Sequence, residues 1–123
     1  AARLWLDRKV ARPGERIALA VENLGETALG FEPGGRIMRW KGGWWRRVPD
    51  RIGRGDHTAG RPGEIRIGPG ELSGAGDGPV DRVLLPRKLA PGLYAIAKQV
   101  TASPARRRDA AGLGIDAWFR VTR

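Results

Sequence analysis

The sequence predicts an all-β protein, an antiparallel sandwich of about seven to nine short strands. Apolar and polar residues alternate with the period of two that is typical of a half-buried strand, as in ERIALAVEN at 15–23. Turn-forming residues separate these stretches, since the 123 residues include 19 glycines and 9 prolines. No stretch combines the period, the capping residues and the length of a stable helix. We therefore expect one domain over 1–123, with a glycine-rich loop region at about 53–79.

Three strands are predicted in the first part of the chain, at 3–9, 15–23 and 28–32. In the first of these, Leu4 and Leu6 share one face and Trp5 lies on the other. The second follows a Pro-Gly turn and alternates strictly, and the third follows the turn NLGET. Each is bounded by residues that favour turns, so we expect short strands rather than one long one.

A hairpin is predicted next, with arms at 36–40 and 44–48. The arms flank Lys41-Gly42-Gly43, and the tight hairpin turns of types I′ and II′ need the positive φ angles that glycine adopts without steric strain. Pro49 ends the second arm, because proline cannot donate to a β-ladder.

Four further segments complete the predicted sheets, at 64–71, 80–86, 93–100 and 115–122. Ile65 and Ile67 alternate in the first, and the last places four apolar residues on one face. The segment 72–78 contains little that could be buried, so we expect it to be the most mobile internal segment. The inward faces of the alternating strands predict a common core that contains Ile17, Leu19, Val21, Tyr94, Ile96 and Phe119.

Tyr94, the only tyrosine, follows the Pro91-Gly92 turn at the start of the penultimate predicted strand. In β-sandwiches, a tyrosine at this position can donate its hydroxyl to a backbone carbonyl a few residues upstream, an arrangement called a tyrosine corner. We therefore predict a buried ring and an acceptor within residues 86–91. On this interpretation Tyr94, Pro91 and Gly92 are structural residues.

The order of these features resembles the bacterial immunoglobulin-like domains of secreted and envelope-anchored proteins. The resemblance is carried by RIALAVEN, GGWWRRVP, the PGE turns, LAPGLYAIAKQV and the closing AWFRVT, which together span nearly the whole chain. It implies an immunoglobulin-like sandwich and an extracytoplasmic location, with any signal or anchor outside these 123 residues. It also implies a role as a spacer or interaction module, whose partner would be another protein or another domain of the same polypeptide.

Few residues of this chain could carry catalysis or bind a metal. There is no cysteine, and the single histidine, His57, lies in a predicted loop beside Asp56. Adjacent loop residues seldom form a productive acid-base pair, and no nucleophile motif accompanies them. One histidine without cysteine excludes the usual zinc sites, and no calcium-loop spacing occurs. We therefore predict no enzymatic activity, no catalytic residues and no cofactor.

Basic and aromatic residues are the candidates for binding. The net charge is +10, a value that either an arginine-rich codon bias or a selected anion-binding surface would produce. Tryptophan and arginine side chains can together form a stacking platform. The candidate residues are those of the predicted hairpin and of the most basic run, namely Arg39, Trp44, Trp45, Arg46, Arg47, Arg106, Arg107 and Arg108.

The two tryptophans Trp44 and Trp45 must face opposite sides of the predicted hairpin. We expect one indole to anchor the core between the sheets and the other to be exposed.

Two functions of the protein remain open. The first is a non-enzymatic spacer or interaction module, and the alternative is an anion-binding β domain for nucleic acid or a cell-wall polyanion. No apolar run approaches the ~20 residues needed to cross a bilayer, so we predict no membrane-spanning segment.

Overall fold

The computed structural model describes residues 1–48, 64–74, 81–102 and 112–123, and it contains only β-strands there. The strands are β1 (Ala2–Leu6), β2 (Val10–Ala11), β3 (Arg16–Asn23), β4 (Leu29–Phe31), β5 (Arg36–Lys41), β6 (Trp44–Arg47), β7 (Ile65–Ile67), β8 (Asp81–Leu84), β9 (Gly92–Ala102) and β10 (Leu113–Val121). The prediction of an all-β immunoglobulin-like sandwich is confirmed. The described part contains ten strands, one more than the nine predicted segments, because β2 has only two residues and was not predicted.

The strands form two sheets that enclose one core. The small sheet has the order β1-β3-β8, and all its pairs are antiparallel. The large sheet is built around β9, which pairs with β10 on one side and with β5 and β4 on the other. Between β1 and β2 the chain passes from the small sheet to the large one, where β2 pairs in parallel with the end of β10.

The core lies between the two sheets, where the alternation of each strand directs its apolar residues. All six predicted core residues are buried, with Ile17, Val21 and Ile96 fully so. Side chains of β3 and β8 meet those of β9 and β10 in a single hydrophobic cluster. The predicted inward faces of these strands are therefore confirmed, because a shift of one residue along a strand would have turned its apolar residues to the solvent.

Tyr94 forms the predicted tyrosine corner. Its hydroxyl donates to the backbone carbonyl of Ala90 at 2.7 Å, within the predicted segment, and its ring is buried. The ring stacks on that of Phe119 with a centroid distance of 5.8 Å. Burial raises the pKa of the Tyr94 hydroxyl, which favours the protonated form that donates this bond. The bond fixes the turn before β9, which begins at Gly92.

A buried ion pair joins the two sheets. Lys98 of β9 and Asp81 of β8 are both almost inaccessible, and their Nζ and Oδ2 atoms lie 2.7 Å apart. Nζ also donates to the carbonyl oxygens of Glu32, at 2.8 Å, and of Gly34. Asp81 Oδ1 accepts from the Gly34 N–H at 2.6 Å. Burial lowers the pKa of Lys98, while the charge and hydrogen bond of Asp81 oppose that shift.

The start of the segment predicted to be mobile is firmly attached to β3. Ser73 is buried, and its hydroxyl accepts from the Val21 N–H at 2.8 Å while its own N–H donates to the Val21 carbonyl. Leu72 forms a β-bridge with Glu22. The expectation of mobility is thus unsupported at 72–74, because a small hydroxyl residue pairs with a strand there. Residues 75–78, like most of the glycine-rich region at 53–79, lie outside the described residues.

Candidate binding surface

The hairpin of β5 and β6 forms as predicted. Gly42 and Gly43 make its turn with φ angles of 66° and 92°, both in the left-handed region that favours glycine. Trp40 pairs with Trp45 across the two strands, and Met38 pairs with Arg47. Because neighbours along a strand point to opposite faces, these four side chains lie on the face opposite the buried Ile37. That face is the outer surface of the large sheet.

Three tryptophans pack together on this outer surface. The ring centroids of Trp40 and Trp45 lie 5.2 Å apart, and those of Trp45 and Trp118 lie 6.0 Å apart. Trp45 is half-buried between its neighbours, whereas Trp40 is 43% exposed and Trp118 is 59% exposed. We call this cluster of Trp40, Trp45 and Trp118 the tryptophan face. It leaves a contiguous area of indole surface in contact with solvent.

Strand order brings the three tryptophans together. Trp118 of β10 pairs with Ala95 of β9, and Ala95 pairs on its other side with Met38 of β5. Trp118, Ala95 and Met38 therefore form one row across the outer surface, and the pair of Trp40 and Trp45 lies in the adjacent row. Ala95 is buried although it faces outward, and its cross-strand neighbours on the two sides are the larger Met38 and Trp118.

The expectation that Trp44 or Trp45 anchors the core is wrong. Trp45 lies on the outer surface, and Trp44 is 66% exposed at the start of β6. The described pairing of β5 with β9 ends at Arg39 and Tyr94, so the hairpin projects past that pairing, and β6 pairs with β5 alone. The core contains Ile37, Tyr94 and Phe119, whereas none of the described tryptophans belongs to it.

The predicted arginine partners are divided between the two faces of the hairpin. Arg47 shares the outer surface with Trp45, whereas Arg39 and Arg46 pair with each other on the opposite face. The guanidinium of Arg39 lies 5.8 Å from the centroid of the Tyr94 ring. The structure therefore does not assemble the predicted hairpin residues into one site. Arg106, Arg107 and Arg108 lie outside the described residues.

Trp40 and Trp118 are the residues that sequence reasoning missed as candidates. The signal for Trp118 was present, because its neighbours Ala117 and Phe119 were predicted to face inward and Trp118 must then face outward. The sequence could not show that β10 and β5 both flank β9, which places residues about 80 positions apart on one surface.

Other chemistry is sparse in the part of the chain that the structure describes. Within it, no group of three or more His, Cys, Asp or Glu side chains could hold a metal ion. Every buried side-chain nitrogen or oxygen described there has a hydrogen-bond partner. His57 and Asp56 lie outside the described residues. No helix suited to crossing a membrane occurs in the segments that the structure describes.

Comparison with known proteins gives distant structural likenesses. No family model and no curated protein matches the chain. A family 123 glycoside hydrolase from Clostridium perfringens superposes with a TM-score of 0.48 and 12% identity, over 100% of this chain and 27% of that one. PapD-like domain 7 of human CEP192 gives 0.36 and 18%, over 97% and 82% of the two chains. The sporulation control protein Spo0M from Bacillus subtilis gives 0.42 and 17%, over 98% and 48%.

The chain thus spans about a quarter of the length of the glycoside hydrolase that it resembles. At TM-scores of 0.48 and below, none of these likenesses bears on what the chain does. Its function has to be inferred from its own residues, and the tryptophan face is the feature that calls for an explanation.

Proposed function

We propose that this protein is a non-enzymatic immunoglobulin-like interaction module of an exported or envelope-associated bacterial protein. It binds its partner through the tryptophan face. The role as a module and the extracytoplasmic location are supported by the resemblance of its strand and turn motifs to bacterial immunoglobulin-like domains. Fractionation of cells that express the full-length protein tests the location, since recovery in the cytoplasm would contradict it.

The observation that carries the proposal is the packing of three indoles on the outside of the large sheet. Isolated exposed apolar residues are ordinary, but a contiguous patch marks a surface that becomes buried in a complex. Tryptophan is also enriched among the residues that contribute most to binding, because it buries a large area and loses little conformational entropy. Trp40 and Trp118 flank Trp45 and hold it in place, so the surface is formed before binding.

The tryptophan face is tested by paired substitutions. The full chain is screened against arrays of soluble glycans and peptides, and every ligand found is titrated against the Trp40→Ala, Trp118→Ala and Trp44→Ala variants. For at least one of these ligands, we expect the first two substitutions to weaken binding at least about tenfold, because each removes an exposed ring of the face. Trp44→Ala is the matched control, since Trp44 is also an exposed tryptophan but lies on the opposite face of the hairpin.

Two results would contradict the proposal. One is the absence of any ligand that depends on Trp40 or Trp118, and the other is an equal loss of affinity in the Trp44→Ala variant. Circular dichroism of all three variants shows that the fold is retained, which is expected because none of these side chains belongs to the core.

A second candidate function is the binding of a polyanion. Two observations favour it, namely the net charge of +10 and the position of Arg47 on the same outer surface as the tryptophan face. Such binding would be electrostatic and would weaken steeply as salt is added. The test is retention on heparin. Elution near physiological salt that is unchanged in the Arg106/Arg107/Arg108→Ala variant would exclude these three arginines from the function.

A further inference from the structure

The outer edge of β10 carries backbone groups that no described strand pairs with. At the end of β10, the Arg120 N–H donates to the Lys9 carbonyl and the Thr122 N–H donates to that of Ala11. Residues of the same parity along a regular strand direct their backbone groups to the same side. The register with β9 is continuous from Leu113 to Val121, so Gly114, Asp116 and Trp118 also direct their N–H and C=O groups away from β9. The described pairing of β10 with β2 includes only Arg120 and Val121.

A groove runs alongside this edge, which we call the free edge because none of the described strands pairs with it before Arg120. It has a volume of about 530 Å³ and lies between β1 of the small sheet and β10 of the large one. Its apolar lining includes Leu4, Leu6 and Ala117 together with the tryptophans Trp5 and Trp118. An extended chain has the width to occupy such a groove while it hydrogen-bonds to the neighbouring strand.

The charges of the groove indicate the chemistry of its occupant. Its lining includes the basic residues Arg3, Lys9 and Arg120 and one acidic residue, Asp116. A second copy of the chain would bring a further net charge of +10 to this edge, which opposes self-association. A partner segment with acidic side chains on its solvent-facing side complements the basic residues instead.

We propose that the free edge of β10 binds an extended acidic peptide of a partner protein as an additional antiparallel or parallel strand. Alternate apolar side chains of the peptide enter the groove between β1 and β10, and its acidic side chains lie beside Arg3, Lys9 and Arg120. This site is separate from the tryptophan face except for Trp118, which borders both, and it does not depend on the function proposed above.

The test is selection of ten-residue peptides from a random phage-displayed library against the full chain. We expect the selected peptides to alternate apolar residues with aspartate or glutamate. On binding, the backbone amides of Gly114, Asp116 and Trp118 should become protected from hydrogen exchange by at least about tenfold, because new ladder bonds form there.

Asp116→Pro and Asp116→Ala form the matched pair of variants. Both remove the carboxylate, but only proline removes the N–H that faces the free edge, and an edge strand tolerates that loss. We expect the proline variant to bind the selected peptides at least about tenfold more weakly than the alanine variant. In contrast, Trp40→Ala should leave peptide binding within about twofold of the wild type, because Trp40 does not line the groove.

Several outcomes would overturn the proposal. They are a failure to select peptides, equal binding by the two Asp116 variants, selected peptides that lack acidic residues, and dimerisation of the chain through this edge. The proposal that the tryptophan face binds a partner is tested separately, by the effect of Trp40→Ala on the ligands of that face. The two proposals can therefore be distinguished.

Discussion

Replacing Asp81 with alanine is expected to lower the free energy of unfolding by about 3 to 5 kcal/mol, the usual cost of removing one partner from a buried ion pair. The substitution leaves the Lys98 ammonium buried without a counter-ion, and it also removes the acceptor of the Gly34 N–H. The effect is large because neither group can reach water, as both side chains are about 2% exposed. Urea unfolding followed by tryptophan fluorescence measures the change.

The double variant Asp81→Ala/Lys98→Met separates two effects of the single substitution, namely the unpaired charge of the Lys98 ammonium and the loss of the Asp81 side chain from the packing. It replaces the ammonium by an apolar side chain, so it should be more stable than the single variant. The recovery will be incomplete, because the carbonyls of Glu32 and Gly34 lose their donor. A loss below about 1 kcal/mol in the single variant, or a further loss in the double variant, would show that the buried ion pair does not stabilise the contact between the two sheets.

Replacing Tyr94 with phenylalanine should cost about 1 to 3 kcal/mol, because it keeps the ring but removes the donor of the Ala90 carbonyl. The stacking on Phe119 should survive, so the loss reports the hydrogen bond alone. The measurement is the same unfolding experiment, with Tyr94→Leu as the comparison that also alters the packing. Wild-type stability in Tyr94→Phe would mean that the corner does not depend on the hydroxyl.

The inward faces of the strands could be predicted from the sequence because alternation is a local property. The same alternation that placed Tyr94 and Ile96 in the core also directs Lys98 inward, two residues further along β9. Its partner could not be predicted, since Asp81 belongs to the other sheet and only the packing of the two sheets brings them together. A lysine in an otherwise apolar inward row was the available sign of a buried partner.

The candidate surface was less predictable than the core. The turn at Gly42 and Gly43 could be read locally, and it predicted the hairpin in which the structure pairs Trp40 with Trp45. The position of the hairpin relative to the sheets could not be read in this way, so the assignment of an indole to the core was wrong. Trp118 joined the cluster through strand order, which depends on long-range pairing rather than on neighbouring residues.

The parallel pairing of β2 with β10 has a mechanical consequence. The Arg120 N–H donates to the Lys9 carbonyl at 2.7 Å, and the Thr122 N–H donates to the Ala11 carbonyl at 3.0 Å. Because the two strands run in the same direction, tension that draws the start of β2 away from the end of β10 acts along the strands and across these bonds. The bonds are then loaded together in shear and resist as a group, whereas bonds at the end of a hairpin would open one after another. A module connected in series within a longer chain would carry tensile force through this junction.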